Sequence, residues 1–173
     1  MTLTTHAMVG AAAASLAPGH PVLWFCLGFA SHFLIDAIPH WHYPLPSVTK
    51  DENNQLNDDV LVFDKNFPLD LLKMGADNLL GIVLALIFFQ AQYPYIFSAA
   101  FIGAAAGVLP DALQFVYMKW RREPMISLQR FHLWIHAKRH LDDQPVRGVA
   151  YQVLIIAISI LIAKYYRFFC ANI

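Results

Sequence analysis

Charge is scarce in this chain and unevenly spread. Only 14% of its 173 residues are Asp, Glu, Lys or Arg, and none of the four occurs from Met1 to Ile35, from Asn78 to Pro110 or from Gly148 to Ala163. Such runs exclude an ordinary soluble domain, because roughly 20 mostly apolar residues in helical form match a hydrocarbon layer of about 30 Å. Formal net charge is zero, which excludes a nucleic-acid binder held by bulk electrostatics. Cysteine is nearly absent. Cys26 and Cys170 both have apolar neighbours, so neither a disulfide framework nor a cysteine metal knuckle is expected. No G-x-S-x-G motif occurs, which removes the usual serine nucleophile. The opening MTLTTHAM lacks the basic region of a secretory leader and is expected to belong to the mature protein.

What is present is apolar: 58% of residues are hydrophobic and mean hydropathy is +0.46. The pattern predicts an all-α, polytopic membrane helical bundle in one domain over residues 1–173, with about five hydrophobic helices and one interfacial amphipathic helix. A helical hairpin is expected over 1–38. Its first helix is capped by Thr4 or Thr5 and runs to about Ala17; its second runs from about Val22 to Ile38, where Pro39 stops it. Residues 40–68 read as an irregular or partly ordered acidic loop. Two spanning helices follow over 69–120, broken at YPY, then a surface helix over 125–141 and a last span over 148–166. The segment before the last span carries Lys119, Arg121, Arg122, Arg130, Lys138, Arg139 and Arg147, so the positive-inside tendency places that face in the cytoplasm, in the cell (inner) membrane.

Tracing the crossings puts the unusual polar residues at that one face. His6 starts the first helix, His32 and Asp36 stack four residues apart near the end of the second, and His40 and His42 follow. Asp77 lies early in the third helix and Asp111 near the end of the fourth, with His132, His136 and His140 on the surface helix; His20 falls at the opposite face. Carboxylates in a span cost about 2.5–3.5 kcal/mol at mid-bilayer, so they require partners or a function. Imidazole and carboxylate together are the ligand set of zinc, iron or manganese, and several carboxylates leave room for more than one ion. Plainer readings stand beside this one. His6 can be an ordinary helix-start residue, His32 with Asp36 a structural hydrogen bond, Asp111 a cap for backbone freed by Pro110, and Asp77 with Asn78 an interhelical contact. His132 and His136 can be interfacial aromatics, and His140, beside Lys138 and Arg139, a solvated residue.

The stretch SHFLIDAIPHWH resembles the small membrane-bound metal-dependent hydrolase families and, more distantly, the zinc-dependent phospholipase C group. In that group a His, an aromatic residue, two variable positions, an Asp, then a Pro and another His supply zinc ligands. The matching positions are His32, Phe33, Asp36, Pro39 and His42 or His40. THAMVG, GVLPD and HLWIH supply His6, Asp111, and His132 with His136 in the corresponding order. The resemblance implies a fold type and a metal site holding one to three ions, most simply zinc, and leaves the substrate open. The soluble phospholipases keep an N-terminal amine ligand and a glutamate four residues after a late histidine, where this chain has His136.

The functional expectation is a membrane-embedded hydrolase that cleaves a lipid or other amphiphilic phosphoester with metal-activated water. Ligands are expected from His6, His32, Asp36, His40, His42, Asp111 and His132, acid-base groups from Asp77 and His136, and a phosphate contact from Arg121 and Arg122. Its partners are the bilayer and its substrate, with no nucleic acid. Other classes use the same groups differently: an ion or proton pathway, a b-type haem between His6 and His32, or a structural membrane protein in which the polar residues lie far apart.

Overall fold

A computed structural model of the chain describes residues 1–17, 19–50, 56, 59–89, 94–139 and 141–171. The expectations for His140, for Asp51, Glu52 and Asp58 of the acidic loop, and for the turn at Gln92 and Tyr93 fall outside these residues. Six helices carry the fold: α1 (Leu3–Ala14), α2 (Pro21–Asp36), α3 (Phe67–Phe88), α4 (Pro94–Lys119), α5 (Met125–Ile135) and α6 (Pro145–Ala171). Three of them, over Phe67–Phe88, Phe97–Lys119 and Pro145–Cys170, are long and apolar enough to cross a membrane. α2 is apolar but only 16 residues long, and α1 has 12 residues, about 18 Å at 1.5 Å per residue.

The short α1 is the centre of the bundle. It packs on α2, α3, α4 and α6, and nearly all its residues are buried, which its small, uniformly apolar sequence permits. A Cβ on Gly10 would strike the Gly103 carbonyl of α4, and one on Gly107 would strike the His6 carbonyl of α1. With hydrogen at both positions the two backbones touch, the mode of packing favoured between helices in lipid. The outward faces of α3 and α6 are apolar and exposed, with Leu72, Leu79, Leu161 and Phe168 among them.

The start of α1 is capped by Thr2, whose hydroxyl accepts from the Thr5 amide; Thr4 and Thr5, the expected caps, lie within the first turn. α2 ends at Asp36, two residues short of the expected Ile38, consistent with the bias of a residue before Pro39 against helix. Pro110 is accommodated inside α4. The described residues between 40 and 68 include a pair of strands: β1 (Val48–Lys50) pairs antiparallel with β2 (Asp59–Leu61), Val48 opposite Leu61 and Lys50 opposite Asp59. Leu61 is buried against Tyr117 and Met118 at the end of α4, so the hairpin is held by an apolar anchor that a count of acidic residues does not reveal.

The surface helix also ends early. α5 stops at Ile135 and His136 is already extended (φ −59°, ψ 138°). The chain then runs back beside the end of α2: the Ala137 amide donates to the Asp36 carbonyl at 2.8 Å and the Leu141 amide to the His40 carbonyl at 2.9 Å. Phe131 and Trp134 are exposed on α5.

Candidate metal centre

Asp36, the last residue of α2, is the hub of a buried polar cluster. Its Oδ2 lies 3.0 Å from His132 Nε2, 3.2 Å from His32 Nε2 and 3.9 Å from His136 Nε2. Its Oδ1 lies 3.2 Å from His6 Nε2, 3.6 Å from His40 Nε2 and 3.7 Å from the Met1 nitrogen. Asp111 reaches in from α4, 3.7 Å from His32 Nε2 and 3.8 Å from His6 Nε2. His6, His32 and His40 are fully or almost fully buried. Four elements and the segments that follow α2 and α5 therefore converge, joining residues separated by up to 135 positions (His136 minus Met1).

The tautomers are set by the outer ring nitrogens. A carbonyl oxygen can only accept, so a ring nitrogen beside one carries the proton. His32 Nδ1 is 2.9 Å from the Gly107 carbonyl, His40 Nδ1 is 2.6 Å from the Ile38 carbonyl and His136 Nδ1 is 3.2 Å from the Ala137 carbonyl. His42 Nδ1 faces the Asp142 carboxylate at 3.2 Å, while its backbone amide donates to the same oxygen at 2.9 Å. In each neutral ring the inward Nε2 is then a bare lone pair. Burial holds the imidazoles neutral outside the spans: it pushes His40 down to about 3 and His42 down to about 4, and it lowers His136, in each case against an opposing carboxylate. Lone pairs nonetheless face each other, at 2.9 Å between His40 and His42 Nε2.

Two ligand sets result. His32, Asp36, Asp111 and His132 each present an atom to one point, all within 4.8 Å of one another, and His40, His42 and His136 do the same beside them. A tetrahedral zinc site with bonds of 2.0–2.1 Å sets its nitrogens about 3.3 Å apart. The 3.3 Å between His32 and His132 Nε2 fits that spacing, and the 2.9 Å pair opens by a few tenths to reach it. Asp36 Oδ1 and both ring nitrogens of His6 are buried without a hydrogen bond, so the donor set fits a cation. Outer partners that fix the rings are a regular part of metal sites.

The expected ligands His6, His32, Asp36, His40, His42, Asp111 and His132 are thus brought together, and His136 with them. Asp77 is not. Its carboxylate accepts from the Leu3 amide at 2.6 Å, the Thr4 amide at 3.1 Å and the Thr4 hydroxyl at 2.6 Å, so it holds the start of α1. Arg121 and Arg122 do not line the cleft over the cluster, whose cations are Lys50 and Lys138. That cleft has a volume of about 850 Å³ and mixes Asp36, Asp111, His132 and His136 with apolar Leu3, Met74, Phe115 and Met118. Asp142 and Gln152 were not singled out in the sequence; an Asp four residues C-terminal to Lys138 and a lone Gln in an apolar run carry no motif. His6 and His32 stack with ring centroids 4.0 Å apart, which leaves no slot for a macrocycle between them.

Fold and site together define a helical bundle with membrane-compatible spans and a His/Asp cluster able to hold metal. The chain matches no protein-family model, no curated protein and no solved structure in comparison.

Proposed function

We propose that the chain is an integral membrane, metal-dependent hydrolase with its site at the cytoplasmic face of the inner membrane, α1 and α2 seated in the bilayer with the three long spans. The observation that carries the reading is the set of four histidines whose Nδ1 atoms are each engaged outward, so that the Nε2 atoms of His32, His40 and His136 face Asp36 and that of His42 faces His40. A structural hydrogen-bond network would pair donors with acceptors there; a ligand set leaves acceptors facing acceptors.

His32, Asp36, Asp111 and His132 would hold one divalent cation, most simply zinc, and His40, His42 and His136 a second, with His6 beside the first set. Bound zinc supplies a water ionised near neutral pH and an electrophile for a developing oxyanion. Asp111, with a side chain 20% exposed and on the cleft wall, is placed to pass protons between the cluster and solvent. Apolar Leu3, Met74, Phe115 and Met118 fit the hydrocarbon of an amphiphile, while Lys50 and Lys138 attract an anionic head, a phosphoester before a neutral ester.

Elemental analysis of the purified protein beside His32→Ala and Asp36→Ala tests the reading. Stoichiometric metal in wild type, its loss in both variants and parallel loss of hydrolysis of short-chain phospholipid analogues are expected. Metal bound without hydrolysis of any ester or phosphoester would favour the ion-binding class instead. No stoichiometric metal would overturn both.

A further inference from the structure

α6 contributes no ligand to the cluster, yet one of its side chains reaches it. Gln152 is 3% exposed, in a run that is otherwise apolar from Val149 to Ala163 apart from Ser159. A buried primary amide in a membrane-spanning helix is costly unless it is hydrogen-bonded, and here both its oxygen and its nitrogen are. Oε1 accepts from the Thr2 amide at 3.0 Å, from the Thr2 hydroxyl at 2.8 Å and from the Thr5 hydroxyl at 3.0 Å. Nε2 donates to the Trp41 carbonyl at 3.0 Å. The amide cannot be flipped without setting Nε2 against the Thr2 N–H and Oε1 against a carbonyl, so both ends are fixed by their partners.

The two ends hold different pieces of the site. Thr5 immediately precedes His6, and Trp41 is the residue between His40 and His42. Trp41 is fastened to α6 a second time: a Cβ on Gly148 would strike the Trp41 Cβ, so the tryptophan backbone lies directly on the helix one turn before Gln152.

We propose that Gln152 is a positioning residue that holds His40 beside Asp36 and His42 beside His40, through the Trp41 carbonyl, while tying the same point to the start of α1. The proposal rests on the metal-centre reading for its consequence, but its geometric content stands without any ion. Gln152→Glu separates the two ends: a carboxylate still accepts from Thr2 and Thr5 but cannot donate to Trp41.

The test is the full-length protein in detergent or nanodiscs, first stripped of metal. Labelling by diethyl pyrocarbonate, read residue by residue by mass spectrometry, should show His40 and His42 reacting several-fold faster in Gln152→Glu than in wild type. His32, held by Gly107 on α4, should be unchanged. Titration with Co²⁺ then gives the second readout: the His40, His42 and His136 set should weaken roughly 10-fold or more, as when an outer partner of a metal ligand is lost, with the Asp36 and His32 set retained. Gln152→Met, which removes both ends, should show the same changes at His40 and His42 and a faster His6 as well. Equal reactivity of His40 and His42 in wild type and Gln152→Glu, or a uniform rise at every histidine, would overturn the positioning role. Wild type that binds no Co²⁺ would instead remove the metal reading and leave the labelling result to decide this one.

Discussion

Nε2 of His40 lies 2.9 Å from Nε2 of His42, and each ring already has its other nitrogen beside an acceptor, the Ile38 carbonyl for His40 and the Asp142 carboxylate for His42. Two lone pairs at that distance repel, and a shared cation turns the repulsion into two bonds. His40→Ala and His42→Ala are therefore expected to lower metal content by one equivalent while leaving the equivalent bound at His32 and Asp36. Retention of both equivalents in both variants would refute a site between the two rings.

Asp142 acts on the same pair from outside. Asp142→Asn keeps an acceptor oxygen but removes the charge that orients His42 and strengthens its lone pair. A loss of roughly 10- to 100-fold in affinity at the His40, His42 and His136 set is expected, the usual effect of removing a carboxylate behind a ligating histidine. Competition with a chromophoric chelator measures it, and an unchanged constant would show that Asp142 is only a surface contact of the His42 backbone.

Asp77 gives the opposite pattern. Its carboxylate accepts from the Leu3 and Thr4 amides and the Thr4 hydroxyl, so Asp77→Ala should cost about 1–3 kcal/mol of stability, as for a lost cap and orphaned amides. The protein that remains folded should keep its metal. A variant as stable as wild type but inactive would place Asp77 in the chemistry after all; thermal unfolding together with metal content distinguishes the two.

Stability of the metal-free protein should fall with acid. His40, His42 and His136 all have folded values below the ordinary 6.5, with His40 at about 3 and His42 at about 4, because burial disfavours their charged forms. The unfolded chain takes up protons first, so their contribution is full above about 6.5 and is lost as pH falls through about 6.5 towards 4. Melting temperature followed between pH 7.5 and pH 4, conditions about the ordinary imidazole value, should decline steadily in wild type and less steeply in His40→Ala. A flat profile would mean that these rings are solvated and free to charge.

Gly107 joins packing to the site. Its missing side chain lets α4 touch the His6 carbonyl of α1, and its own carbonyl accepts from His32 Nδ1 at 2.9 Å. Gly107→Ala should destabilise by about 1–3 kcal/mol through overpacking and displace His6 and His32 together, with loss of metal. Wild-type stability and metal content in this variant would show that the helices separate without cost.

Much of the cluster was legible because helical spacing is rigid. His32 and Asp36 share a face in any helix, and successive helices that alternate in direction bring His6 and Asp111 to the same end. Asp77 was assigned to that end for the same reason, but a carboxylate that caps a neighbouring helix and one that binds metal have the same sequence signature. His40 and His42 both reach the cluster, because residues two apart in an extended segment share a face and Trp41 between them turns to α6. What the sequence hides is set by long-range pairing. Nothing local stops α5 at Ile135; the bonds from Ala137 and Leu141 to the backbone of Asp36 and His40 do, and they deliver His136 and Asp142. The short hairpin over the acidic loop likewise depends on the burial of Leu61 against α4.

Asp36 divides its two oxygens between neighbours, Oδ1 towards His6 and His40 and Oδ2 towards His32, His132 and His136. One carboxylate thus faces both ligand sets, while Asp111 adds its charge on the side of His6 and His32 alone. Were cations bound on both sides, the first would draw on the Asp36 charge and leave less for the second, so occupancy at one side of the carboxylate would be read at the other without any movement of the helices.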